Sequence, residues 1–525
     1  MDRLLQNFRR NRTLLITLAV FAVFFLLAIR GMPAEEWVIT LLRSLAVGSI
    51  TFLVASGFSL IFGLMDVLNL AHGTLFMIGA YIGWTVFVRP DTFVDVATPA
   101  GLIGMGIALA PLWAYAFGSA TLHLPRSRFV PWLGLAAAAA ALWWGLARYP
   151  ITSWDPAVYA ESPITYAFAA GQGTLSLPEP ELFTSSPYLV LAALAFGSLA
   201  AGAALGAFSA GRSAGGGAGA SGTRRLPHGA LIAAGLLLAL ALGTFFFHGT
   251  LTAALFGLNS TALFILAILV AVGVGFGLGA LVESALIRPL YARPIYQILM
   301  TLGVSAIGIE LVRGIWGRPE FTMPKPAIFD GTGEGCPAVS LADLFAHQCS
   351  TIELLGSRVR TYNEIFVPLL GLIVLVAIWL LLRRSRLGMV IRAGVQDSEM
   401  VEALGINVRR VFTLVFALGV GLAALGGVVA GPSMGLSLGM GERLLINALI
   451  ALAIGGLTSF PGAAAGSLLV GLIQQFIIKY GQIGITIPFV DYVFKPTPPL
   501  VPASTVLLMV IVLLLMPNGL FGRRD

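Results

Sequence analysis

Fourteen apolar runs, each close to the length of a bilayer-crossing helix, dominate this chain. A hydrocarbon core about 30 Å thick is crossed by about 20 helical residues. Runs of that order, bounded by charge, Pro or Gly, occupy 13–29, 38–62, 67–88, 100–121, 129–147, 188–210, 229–247, 260–282, 295–313, 364–382, 409–430, 444–458, 461–480 and 502–516. In a chain of 525 residues, 58% are hydrophobic and 10% charged. So much apolar side chain cannot be hidden in one soluble globule. A disordered tail, a collagen-like fibre and a secreted disulfide scaffold are excluded as well. The expected fold class is all-α: a polytopic integral membrane protein with about 10–14 transmembrane helices, some broken at glycine.

Arginine orients these runs. The net charge is +7, and Lys325, Lys479 and Lys495 are the only lysines. A basic chain suggests nucleic acid, but these arginines sit in short clusters between apolar runs. They read as topology signals, and no nucleic-acid partner is expected. With the N-terminus in the cytoplasm and strict alternation, nineteen of the 31 basic residues fall in inside loops. Both termini are then cytoplasmic. The acidic loop around Asp155, Glu161, Glu179 and Glu181 falls outside, as does the loop 314–363. Run 13–29 follows Arg9-Arg10-Asn11-Arg12 and lacks a clear cleavage site, so it reads as a retained helix rather than a signal peptide.

Composition divides the chain. Residues 1–37 hold an additional N-terminal helix, and 38–88 the first part of a core. Residues 89–258 form an inserted Ala/Gly-rich helical region, including the low-complexity linker Gly211–Gly222. Residues 259–525 complete the core, with the outside loop 314–363 and a cytoplasmic loop 383–410. Four helices in the insertion leave the topology of its flanks unchanged. It reads as a peripheral, lipid-facing bundle.

Catalytic motifs are missing or accidental. Matches to G-x-S-x-G and G-x-G-x-x-G fall inside the Gly/Ala/Ser linker with no strand before them. No lysine follows Gly and precedes Ser or Thr, so the chain has no P-loop. ATP and its Mg are expected only on partner subunits, and no metal site or enzymatic activity is expected here. Cys336 and Cys349 are too few for a metal site. An oxidising compartment permits a disulfide between them, two free thiols being the alternative.

Polar residues inside apolar runs carry the signal. Gly63 to Gly73 places Asp66, Asn69 and His72 in apolar surroundings, where polar groups are costly unless they face protein or water. Gly63 and Gly73 allow the helix to break there and line a pathway. The competing reading is a cytoplasmic turn in which Asp66 and Asn69 cap the next helix. A second break is expected at Gly455-Gly456-Leu457-Thr458-Ser459-Phe460-Pro461-Gly462. Its glycines, Gly462 and Gly466 above all, also suit close helix packing. Candidate pathway residues are therefore Asp66, Asn69, His72, Gly73, Gly456, Ser459, Pro461 and Gly462. In the basic loop, Asp397 suits an N-cap, Glu399 a first turn and Gly405 a C′ position. They bound a cytoplasmic helix of about two turns, carrying Met400, Glu402, Ala403 and Leu404. Its acidic residues favour docking on a soluble partner over lying on an anionic leaflet.

The run Asn69-Leu70-Ala71-His72-Gly73, continuing to Met77-Ile78-Gly79-Ala80-Tyr81, resembles the branched-chain amino acid ABC permeases, in particular the first of their two permease subunits. So do Glu283…Arg288-Pro289-Leu290, Arg386-Leu387-Gly388…Ile391-Arg392-Ala393…Ala403-Leu404-Gly405-Ile406-Asn407, Gly455 to Ala463, and Met516 to Gly522. The resemblance covers roughly 38–88 and 260–525; the insertion and the first helix depart from it. It implies an importer subunit of a bacterial inner membrane, without an ATPase of its own. Implied partners are a second homologous permease or a second copy, two cytoplasmic ATPases seated on 397–404, a periplasmic or lipid-anchored binding protein, and membrane lipid. Substrates implied are branched-chain amino acids, with urea, short amides or aromatic acids as alternatives, moved by alternating access. A different class, a stand-alone transporter coupled to protons through Asp66, His72, Glu283 or Glu310, stays open at this point.

Overall fold

A computed structural model describes residues 32–118, 129–151, 183–214, 228–317, 320–396, 398–486 and 493–521. Run 13–29, the acidic loop around Asp155, and Asp397 lie outside them. The helices in chain order are α1 (Ala34–Met65), α2 (His72–Val88), α3 (Pro90–Gly118), α4 (Val130–Leu146), α5 (Pro187–Ala214), α6 (His228–Phe246), α7 (His248–Phe256), α8 (Ser260–Val282), α9 (Pro294–Trp316), α10 (Leu341–His347), α11 (Val367–Arg384), α12 (Arg386–Gln396), α13 (Ser398–Ala403), α14 (Val408–Met434), α15 (Met440–Gly455), α16 (Phe460–Ile483) and α17 (Leu500–Leu515). Among the described residues nine helices are long and apolar enough to cross a membrane, with α2, α4 and α17 as shorter apolar companions. Two short hairpins, β1–β2 (Thr351–Leu354 and Ser357–Arg360) and β3–β4 (Ile485–Thr486 and Val493–Phe494), are the only sheets described. The protein is an all-α, multi-pass membrane protein.

These residues form two compact units, 32–88 with 260–521, and 89–151 with 183–259. In the first, α1 is the axis: Leu53, Val54, Ala55 and Ile61 have no exposure. It packs on α14 and α16 through small residues. A Cβ on Gly57 would lie 2.3 Å from the Gly419 carbonyl oxygen, and one on Gly471 2.3 Å from that of Ser44. With no hydrophobic force between helices in lipid, such close backbone approach supplies the packing energy. The first core span begins at Ala34, four residues earlier than the apolar run, because Glu35 and Glu36 are tolerated in a first turn.

The segment 320–360 folds over the start of α1. Ala338, Leu344, Cys349, Ile352 and Val359 make a small core resting on Ile39 and Leu42. Ser340 and Asp343 form a capping box on α10, and Cys336 is bonded to Cys349. Phe321 and Leu436 exchange backbone hydrogen bonds of 2.9 and 2.8 Å, tying this segment to the end of α14.

In the second unit α3, expected from residue 100, begins at Pro90. Its first turns carry charges that a hydropathy reading stops at, and the fold neutralises them. Asp91 accepts two bonds from the buried Arg89, at 3.0 and 2.8 Å, and Asp95 pairs with His248 of α7. Thr98 and Thr244 share a 2.8 Å bond between α3 and α6. A Cβ on Gly202 would lie 2.1 Å from the Gly106 carbonyl oxygen, so α3 and α5 also cross at glycine.

Candidate functional site

α1 stops at Asp66, which adopts a left-handed conformation (φ 52°) while its N–H closes on the Phe62 carbonyl at 2.9 Å. Asp66 is exposed. The next helix starts at His72, whose Nε2 lies 3.1 Å from the Val54 carbonyl. Val54 is eleven residues before the end of α1, or about 16 Å back along its axis. Residues 66–71 therefore run back beside α1, and α2 begins at depth. Irregular backbone at that level needs protein partners, and Thr301 of α9 supplies them. Its Oγ1 accepts from the Leu70 N–H and donates to the Leu68 carbonyl, both at 3.3 Å. Gly73 packs on Gly441, where a Cβ would stand 2.4 Å from a carbonyl oxygen. Asn69 and His72 have no exposure, and neither Asn69 amide atom nor His72 Nδ1 has a hydrogen-bond partner among the described residues. The turn reading thus fits Asp66, which ends the preceding helix rather than capping the next. Asn69 and His72 lie buried where the chain breaks between α1 and α2.

The second break lies between α15 and α16. Gly456 takes φ 106°. Ser459 caps α16, its hydroxyl accepting from the Gly462 N–H at 3.2 Å. Pro461 sits in the first turn, where no N–H is needed. The segment after α17 returns to close α15. The N–H groups of Leu520 and Phe521 donate to the Ile454 and Gly455 carbonyls at 2.8 and 2.9 Å, satisfying helix-end acceptors that otherwise lack partners. Gly519 (φ 76°) lets the chain pass Gly456 this closely. The two breaks adjoin: Ser59 Oγ is 3.4 Å from the Leu457 carbonyl, and Gly63 packs beside Thr458. An apolar cavity of about 330 Å³ lies alongside, walled by Phe58, Phe62, Leu68, Leu449 and Leu457 among others.

At the far end of α11 the basic loop is helical almost throughout. Ser385 caps α12, accepting from Gly388 N–H at 2.9 Å, and the Arg392 guanidinium donates to the Leu382 carbonyl at the end of α11. Ile391 and Leu387 pack among Leu60, Leu64, Ile378 and Val415. α12 is amphipathic, with Arg386 and Arg392 interrupting an apolar pattern too short to read as a span. α13 ends in a Schellman motif: Gly405 N–H donates to Glu402, and Ile406 N–H to Val401, at 2.9 and 3.3 Å, with Gly405 at φ 82°. Val401 is buried beneath it, while Met400 and Leu404 are 59% and 73% exposed. Of the other residues singled out here, Glu399 and Ala403 lie in α13.

Next to this loop, Glu283 is fully buried on a π turn (Glu283–Ile287) at the end of α8. Arg288 donates to both its oxygens at 3.2 and 2.9 Å, and also to Thr413 of α14. The Tyr291 hydroxyl donates to the same carboxylate, and burial together with that carboxylate pushes the Tyr291 phenol well above its ordinary range. Glu310 pairs with Arg313 on the exposed side of α9, and His72 bonds backbone. Asp66, His72, Glu283 and Glu310 thus make separate contacts rather than one relay.

A bundle of long apolar helices with two adjoining breaks defines a multi-pass membrane protein of the transporter class. The family described as "Branched-chain amino acid transport system / permease component" matches residues 40–201 and 229–517, and the chain belongs to that family. Similar proteins include the high-affinity branched-chain amino acid transport system permease protein LivH of Salmonella typhimurium, 29% identical over 195 residues, 37% of this chain and 58% of that one. The corresponding protein BraD of Pseudomonas aeruginosa is 32% identical over 169 residues, 32% of this chain and 50% of that one. The fructose import permease protein FruF of Bifidobacterium longum is 29% identical over 120 residues, 21% of this chain and 34% of that one. The chain thus spans about half the length of these branched-chain amino acid permease relatives. No solved structure matches it.

Proposed function

We propose that this chain is the permease subunit of an ATP-driven importer for branched-chain or related amino acids, seated in a bacterial inner membrane with its basic loop in the cytoplasm. Urea, short amides or aromatic acids are the alternative cargo within the same family. The observation that carries this reading is α13. It is a capped helix too short to be stable alone, held by the buried Val401 and presenting Met400 and Leu404 outward between two membrane spans. That is a docking handle for soluble ATPases on the cytoplasmic face. A second permease subunit or second copy, and a substrate-binding protein on the opposite face, complete the assembly.

Movement of α13 reaches the membrane through α12 and α14. α12 is clamped to α11 by Arg392, and the start of α14 is tied by Thr413 to the Arg288–Glu283 pair of α8. ATP-bound partners must prefer one arrangement of these helices over another, so the α13 contact carries the differential affinity. The test is Leu404→Arg in the assembled transporter. Loss of ATPase co-purification and of ATP-driven leucine uptake supports the reading. An intact assembly importing at the unaltered rate removes it.

A further inference from the structure

Near the start of α1, on the side of the 320–360 segment, a cavity of about 330 Å³ opens between α1, the π turn that begins at Thr361, the end of α14, α15 and α16. Its polar lining includes Arg43, Arg360, Glu364, Asn447, Gln474 and Gln475, brought together from positions up to 432 residues apart, beside Asn363, which accepts from the Ser433 hydroxyl at 2.9 Å. None of the eight residues singled out at the two helix breaks lines it.

Charge in this cavity is unbalanced. Glu364 is 1% exposed at its side chain, and both its oxygens are engaged. Oε1 accepts from Arg43 Nε at 2.8 Å, and Oε2 from the Arg360 backbone N–H at 2.6 Å. This carboxylate is satisfied and fixed, and it holds Arg43 by one edge of its guanidinium. Among the described residues no carboxylate pairs with the Arg360 guanidinium. Two arginines and one glutamate line the cavity, the exposed Arg360 among them, so its lining carries one net positive charge. The opposite wall is neutral and hydrogen-bonding: Gln474 Nε2 donates to Asn447 Oδ1 at 3.2 Å, which leaves a donor on Asn447 and an acceptor on Gln474. Ile50 and Leu444 add apolar surface between the two.

We infer that this cavity is a solute-binding station that recognises a carboxylate, with Arg360 and the free edge of Arg43 as its anion-binding groups. A guanidinium fork matches a carboxylate in geometry as well as charge. The Asn447–Gln474 pair and Gln475 receive the polar groups beside the carboxylate, and the apolar surface takes an aliphatic side chain. A different side of α15, with Ile446, Leu449, Ile450 and Ala453, lines the apolar cavity beside the helix breaks. An aliphatic amino acid held here by its carboxylate would rest its side chain on Val47, Ile50 and Leu444. The identity of the carboxylate rests on the permease reading; the presence of the site does not.

The chain's two cysteines are bonded to each other, so Gln475→Cys places a single free thiol at this cavity, and Asn447→Cys is a second variant should the first not fold. The full chain in lipid nanodiscs is labelled with an anionic and with a cationic methanethiosulfonate reagent. The site predicts a bias toward the anionic reagent of about tenfold over that of a small free thiol. Adding Arg360→Gln abolishes the bias. Excess leucine slows labelling several-fold, whereas leucinamide, which lacks the carboxylate, does not. No bias, a bias indifferent to Arg360→Gln, no protection by leucine, or equal protection by leucinamide overturns the inference. No partner subunit takes part, so those results leave the importer reading standing. Protection without ATP-driven import by the assembled transporter removes that reading and leaves the site.

Discussion

A β-carbon on Gly455 would stand 1.9 Å from the Gly462 carbonyl oxygen, one on Gly462 2.2 Å from that of Gly455, and one on Gly466 1.9 Å from that of Ala451. These contacts leave no room for even a methyl group, because both neighbours are backbone. Gly455→Ala or Gly462→Ala is expected to cost about 1–3 kcal/mol, the usual penalty of overpacking. Gly273→Ala, on an exposed helix face with nothing within 4 Å of the added carbon, is expected to be neutral or to stabilise by up to about 1 kcal/mol. Thermal melting of the purified variants checks both signs. The sequence alone left packing and pathway as two roles for Gly462 and Gly466. Contact across the α15–α16 turn gives packing its physical basis. At the first break the sequence marked Asn69 and His72 correctly as buried polar groups, whereas Asp66, read with them, sits exposed at a helix end. Nothing in a linear string separates a polar residue at depth from one three residues away at a surface.

Helix ends account for several motifs that a residue-by-residue reading leaves unexplained. The terminal run Met516-Pro517-Asn518-Gly519-Leu520-Phe521 turns back to cap α15, through two bonds whose acceptors lie 66 residues earlier. Each such bond contributes about 0.5–1.5 kcal/mol. Gly519→Val, strained at φ 76° and obstructed by Gly456, should therefore release both. Hydrogen exchange in the last turn of α15 is expected to accelerate roughly tenfold or more, while α6 of the other unit is unchanged. The Glu283–Arg288 pair makes a similar link between α8 and α14. Glu283→Leu alone strands a cation and lowers stability. The loss falls short of the ~3–5 kcal/mol of a fully buried pair, because Arg288 keeps 34% of its side chain exposed. Combining it with Arg288→Met should recover most of that loss in a double-mutant cycle. A loss unchanged in the double variant would show that the pair acts through something other than its charges. The start of α3 and the whole of α12 were hidden from the sequence for a shared reason. Their charges interrupt the apolar pattern, and only tertiary partners such as His248 for Asp95, or the Leu382 carbonyl for Arg392, make those charges compatible with helix.

Across the whole molecule, every apolar run from 38–62 onward is occupied by a helix, since length and hydropathy are local properties that lipid reads directly. What is not local is not legible. Arg43, Arg360, Asn447 and Gln474 carry no common motif, and only the packing of α1 against α15 and α16 brings them to one cavity. The distribution of charge along α11 is visible at both levels, and it predicts an orientation that can be tested. One end of α11 carries Arg383 and Arg384 and is followed by Arg386 and Arg392, with Arg409 and Arg410 at the start of α14. Beyond the other, the segment 320–360 holds Glu320, Asp330, Glu334, Asp343 and Glu353 against Lys325, Arg358 and Arg360. Burial pushes the Asp330 carboxyl upward despite Lys325 nearby, but at neutral pH the segment remains the more acidic end. Basic loops stay on the cytoplasmic side during insertion because arginine resists transfer and acidic residues contribute little. Met389→Cys, at an exposed position of α12, and Glu353→Cys, at an exposed position of β1, each add one free thiol to a chain whose own cysteines are bonded. In intact cells an impermeant thiol reagent should label Glu353→Cys and spare Met389→Cys. In inverted membrane vesicles the pattern should reverse. Labelling of Met389→Cys in intact cells would place α13 on the wrong face for a cytoplasmic ATPase, and the proposed drive would have to come from elsewhere.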